Sequence, residues 1–145
     1  MRKWIVFAVL ACLTLQSFAQ KDAIEKVWFN AEKTSKIEIF KATDGFFYGK
    51  IIWLKEPNDK NGKPKLDKNN KEESQQNLPV WGMLILKKFK KTNSANEYEN
   101  GTVYDPNNGK TYCGKLTLQG KELKLRGFIC GWSWLGRSSV WTLAE

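Results

Sequence analysis

Apolar and polar side chains alternate along Gly101 to Phe128, GTVYDPNNGKTYCGKLTLQGKELKLRGF, and a tight turn at Gly120-Lys121 sets how the two halves pair. Leu118 then faces Leu123, Leu116 faces Leu125, Gly114 faces Gly127 and Tyr112 faces Ile129, which makes one face apolar. The other face pairs Thr117 with Lys124, Lys115 with Arg126 and Cys113 with Phe128. An antiparallel sheet with one side on a core and the other in water has this pattern.

The remaining segments are short, alternating or β-branched, and bounded by turn residues. Val27 to Phe29, Lys36 to Lys41, Phe46 to Leu54, Trp81 to Phe89, Tyr98 to Tyr104 and Arg137 to Leu143 read as further strands, with Thr43-Asp44-Gly45 a hairpin turn. Ala23 to Trp28 is alternatively one helical turn ahead of them. Asn58 to Asn77 is a long polar connection, and Gly131-Trp132-Ser133-Trp134-Leu135-Gly136 is a loop before the last strand. The expected fold class is all-β: a small antiparallel meander of seven or eight strands, closed into a barrel that leaves no exposed edges.

Residues 1–19 have a different character. Arg2 and Lys3 precede an apolar run from Trp4 to Leu15, and Ser17-Phe18-Ala19 offers small residues for cleavage, as in a secretory signal peptide. The run is shorter than the roughly 18 residues that span a membrane. A lipoprotein signal ending at Cys12 is the rival, against which stand the bulk of Leu10 and the apolar residues beyond Cys12. The expectation is a mature chain of residues 20–145 forming one domain, exported to the periplasm or beyond. Loss of Arg2 and Lys3 with the leader lowers the net charge from +9 to +7. In an exported protein so basic a surface points to anionic lipid or to solubility before nucleic acid.

Candidate chemistry is sparse. The chain has no histidine, which excludes a Ser-His-Asp or Cys-His centre and a histidine-bound zinc. Asp59, Asp67 and Asp105 each sit beside Asn, Gly or Pro in turn-forming contexts, and the acidic residues of the long loop do not follow the spacing of a calcium loop. No enzyme, metal or cofactor is expected. Cys113 and Cys130 lie on one face as diagonal neighbours, either a disulfide or two free thiols.

Gly-Lys-Ile-Ile-Trp at 49–53, Asp67-Lys68-Asn69, Tyr104-Asp105-Pro106, Gly109-Lys110-Thr111-Tyr112, Leu125-Arg126-Gly127, and Gly136-Arg137 with Trp141-Thr142 together resemble the secreted bacterial proteins grouped as domain of unknown function 2147. The resemblance implies a lipocalin-like, or calycin-like, barrel and supplies no reaction or ligand. It also implies that Trp28, on the first strand, packs beneath Arg137, on the last. Where a lipocalin-type opening reads Gly-x-Trp, this chain reads Lys26-Val27-Trp28.

On such a fold Tyr48, Trp53, Trp81, Tyr104 and Tyr112 are the candidate ligand-binding residues, because Gly49, Gly82, Gly101 and Gly114 leave volume beside them. The competing reading is that these aromatics fill the barrel. The function expected is binding of a small apolar or amphipathic ligand. The alternative is an envelope protein that contacts anionic membrane or a protein partner through its basic, aromatic surface, and the sequence specifies no oligomeric state.

Overall fold

In the computed structural model, which describes residues 20–144, the alternating segments become eight antiparallel strands. The signal-peptide reading lies outside the described residues. The strands are β1 (Val27–Phe29), β2 (Ser35–Lys41), β3 (Phe47–Leu54), β4 (Leu84–Lys91), β5 (Glu97–Asp105), β6 (Lys110–Gln119), β7 (Glu122–Ile129) and β8 (Trp132–Leu143). Each pairs with the next, and β8 pairs with β1 to close a barrel.

The β6–β7 register from Leu118↔Leu123 through Cys113↔Phe128 is the one the alternation dictates. Leu116, Leu118, Leu123 and Leu125 are buried, while Lys124 on the other face is exposed. Two strand starts differ from the sequence reading by more than one residue. β4 starts at Leu84, because residues 81–83 belong to the turn out of the long loop, where Gly82 takes a positive φ of 85°. β8 starts at Trp132, so the stretch read as a loop is strand.

The interior is filled toward one end. Leu86 and Phe89 both face inward although they are three residues apart, which a strand of period two permits only if it absorbs an extra residue. Lys88 does so with a left-handed φ of 57°, and Asn100 does the same between Tyr98 and Gly101 with a φ of 61°. The two irregularities aim the Phe89 ring across the barrel at Gly101 and Gly114. A methyl group built on Gly114 would lie 2.7 Å from Phe89 Cζ, and one on Gly101 would clash with the Phe89 ring. Leu86 fills the space beside Gly49 in the same way, 2.7 Å from such a methyl.

The segment ahead of β1 closes this end. Ile24 and Trp28 are both 0% exposed, and the Trp28 Nε1–H donates to the Ile24 carbonyl at 3.0 Å. Asp22 pairs with Lys91 and Lys41, which ties the segment to the barrel rim. Chain entry, the β2–β3, β4–β5 and β6–β7 turns and the end of β8 share this closed base. The β1–β2, β5–β6 and β7–β8 turns and the long 55–83 loop share the opposite end, the mouth.

Candidate functional site

Burial falls away toward the mouth along faces that point into the barrel. On β7 the core-facing Leu123 and Leu125 are 0% and 7% exposed, whereas Ile129, beyond the register irregularity after Phe128, is 51% exposed. β8 follows the same course: Trp141 is buried opposite Leu123, Ser139 is half-buried opposite Leu125, and Arg137 is exposed opposite Gly127. Trp132 pairs with Ile129, is 56% exposed and stacks on Trp134, with ring centroids 5.9 Å apart. Half-buried Tyr112 sits on the core face of β6, and its Cβ is the neighbour a methyl on Gly127 would meet, at 3.8 Å. The β6–β8 side of the mouth thus exposes large apolar side chains beside Arg137, which has no ion pair among the described residues.

A disulfide anchors this surface. Cys113 on β6 and Cys130 at the β7–β8 turn are bonded, with Cα atoms 5.1 Å apart, so the tip of the hairpin is tied to its neighbouring strand.

The structure does not gather the aromatics expected to form a pocket wall. Tyr48 lies outside, stacked on Phe40; its hydroxyl donates to Asp44 at 2.6 Å and holds that carboxyl below its ordinary range. Trp53 packs edge-on against Phe29 on the outer face, beneath the Lys36 ammonium. Trp81 is 59% exposed and donates its Nε1–H to the Ile52 carbonyl. Of the five, only Tyr112 remains on the inner face at the mouth. The glycines gave a false signal because Leu86 and Phe89 occupy the volume beside three of them and Gly82 forms a turn. Two surface hollows, of about 290 and 300 Å³, lie outside the lumen, one at the chain entry and one over the outer faces of β5, β6 and β7.

The pairing of Trp28 with Arg137 is also corrected. Trp28 pairs with Leu143 at the base, whereas Arg137 pairs with Gly127 near the mouth. Six residues of extended strand separate Arg137 from Leu143, roughly 20 Å. Arg137 is a residue of the open end.

Tyr104 belongs to a second cluster, outside the barrel wall. Asp67, in the long loop, is 1% exposed and accepts the Tyr104 hydroxyl at 2.7 and 2.9 Å and the Asn70 amide at 2.7 Å. Next to it, Asn69 donates to the carbonyls of Pro106 and Asn107. The Asn69 carbonyl approaches Gly109 so closely that no side chain would fit there, and Gly109 has a φ of 67°. Asp67-Lys68-Asn69 and the Tyr104 to Gly109 turn are therefore two halves of one contact that holds the long loop down. Reading Asp67 only as a turn carboxylate missed its burial, which depends on a partner 37 residues away.

Asp67→Ala strips the acceptor from Tyr104 and Asn70 and should cost about 1 to 3 kcal/mol in urea unfolding, with faster proteolysis in the 55–83 loop. Burial, then the bond to Asp67, raises the Tyr104 hydroxyl from 10.0 to about 12. Because the folded value lies above the unfolded one, the contribution is intact below pH 10 and is lost as pH rises toward 12. Tyrosinate absorbance should show a late-ionising group that Tyr104→Phe removes.

Residues 27–143 match the family described as "Uncharacterized protein conserved in bacteria (DUF2147)". The chain belongs to this family. Among solved structures, it is similar to protein HP1028 from the human pathogen Helicobacter pylori, described as belonging to the lipocalin family. The two share 23% identity with a TM-score of 0.70, over 84% of this chain and 83% of that one. That likeness establishes the lipocalin-like fold. Comparison with curated proteins finds no match. In this DUF2147 protein, the Asp67 to Asn69 and Tyr104 to Gly109 motifs serve to dock the long loop.

Proposed function

We propose that this DUF2147 protein is an exported, non-catalytic barrel that binds a small amphipathic molecule at the β6–β8 side of its mouth. The apolar part of the ligand lies against Tyr112, Ile129 and Trp132, and its anionic head meets Arg137. The loss of burial along β7 and β8 carries the reading: Leu123 and Trp141 are buried near the base, while Ile129 and Trp132 toward the mouth are 51% and 56% exposed, large apolar side chains left in water. Arg137 adds a guanidinium with no ion pair among the described residues, which suits a carboxylate or phosphate. The lipocalin-like fold supports small-molecule binding as the class of activity. The leader-like residues 1–19 support export, and a chain without histidine supports binding over reaction.

Titration of the mature chain with dodecanoate, followed by tryptophan fluorescence, should saturate at micromolar concentration. Dodecanol, which lacks the charge, should bind about tenfold more weakly, and Arg137→Gln should abolish that difference. Absence of saturation by either compound, or an Arg137→Gln protein that still prefers dodecanoate, would overturn the proposal.

A further inference from the structure

β8 is longer than the strand that closes the barrel against it. β1 meets β8 only at Trp28↔Leu143 and Phe29↔Thr142, whereas β7 runs beside it from Thr142 to Gly136 and again at Trp132. From Trp141 back to Trp132, then, β8 has a neighbouring strand on one side only among the described residues. The alternation of the ladder identifies the groups left over. The Leu143 N–H donates to the Lys121 carbonyl on the β7 side, and the Ala144 N–H donates to the Val27 carbonyl on the β1 side. Along the regular stretch, odd-numbered residues therefore direct N–H and C=O toward β7 and even-numbered ones direct them away. Gly136, Ser138 and Val140 hold their backbone donors and acceptors toward a position where no strand lies.

An edge of this kind is a template for another extended segment. Two of the devices that usually blunt an edge are missing, since residues 136–142 include no proline and their pairing with β7 has no bulge, and Arg137 is the charge the edge carries. Its chemistry is one-sided. Lys124 lies opposite Val140, Arg126 opposite Ser138, and Arg137 is on β8 itself, while no Asp or Glu occurs from Leu123 to Ala144. The Cys113–Cys130 bond fixes the hairpin tip, so less ordering of β8 itself opposes pairing.

We propose that the β8 edge receives an extended peptide segment of a partner protein, one that alternates carboxylate and apolar side chains and continues the barrel wall where β1 stops. Charge complementarity selects this occupant. A second copy of the chain would bring Lys124, Arg126 and Arg137 against their own counterparts.

The test measures fluorescence anisotropy of three labelled nonapeptides with the mature, oxidised chain: alternating Val/Glu, alternating Val/Lys, and the Val/Glu peptide N-methylated at every second residue. The Val/Glu peptide should saturate, and the other two should bind at least about tenfold more weakly. Ser138→Pro removes an N–H that bonds nothing inside the protein, so it should fold, lose Val/Glu binding and keep dodecanoate binding. The N-methylated peptide tests backbone pairing with no variant at all. Equal binding of the N-methylated and parent peptides, no saturation by the Val/Glu peptide, or a dimer of the free chain that Ser138→Pro dissociates would each overturn the proposal.

Discussion

Phe89→Ala should destabilise the protein by about 3 to 5 kcal/mol in urea unfolding, the loss expected when a fully buried aromatic ring leaves a cavity that its surroundings cannot close. Phe89 is 0% exposed and packs against backbone at Gly101 and Gly114, and backbone in a hydrogen-bonded sheet collapses little. The converse change should also be costly. Gly101→Ala drives a methyl into the Phe89 ring's space and should cost about 1 to 3 kcal/mol through overpacking. Combining Gly101→Ala with Phe89→Leu should be less damaging than the sum of the two single changes, because the smaller side chain vacates the space the methyl needs. A loss below about 1 kcal/mol for Phe89→Ala would indicate that the ring borders open volume and does not plug the base.

Loss of the disulfide should have the next largest effect. Cys113 and Cys130 enclose a loop with a sequence separation of 17, and freeing it in the unfolded chain should lower stability by about 3 kcal/mol on the loop-entropy estimate. The Cys113→Ser, Cys130→Ser double variant and the dithiothreitol-treated protein should show the same lowered urea midpoint. Identical midpoints with and without reductant would contradict the assignment. Since the bond ties the β7–β8 tip to β6, reduction should also weaken dodecanoate binding more than it changes far-ultraviolet circular dichroism.

Where alternation was regular, the sequence was readable. The Leu116, Leu118, Leu123 and Leu125 register followed from a tight turn and period two, and the closed meander followed from the number and shortness of the segments. Legibility ended where period two broke. Nothing in Leu-Lys-Lys-Phe at 86–89 announces that Lys88 adopts a left-handed conformation, so the ring that fills the glycine gaps could not be assigned to them. Trp132 and Trp134 between glycines looked like a loop because β8 extends beyond its β1 partner, and strand signals presume a neighbour on each side. The placement of Arg137 beneath Trp28 came from the family resemblance, and the β7–β8 register puts it at the mouth instead. Asp67 was legible as a turn residue, which it is, through its carbonyl bond to the Asn70 N–H. Its burial against Tyr104 is a long-range event that no local pattern records.

The claim that the base is filled while the mouth receives an anionic amphiphile is tested most directly by a backbone and side-chain amide NMR titration of the mature, oxidised chain with dodecanoate. The account predicts saturable shifts clustered at Tyr112, Gly127, Ile129, Trp132 and Arg137, with the signals of Trp28, Phe47, Phe89 and Tyr98 unmoved. Shifts concentrated on those base residues, or no saturable shifts at any residue, would contradict it.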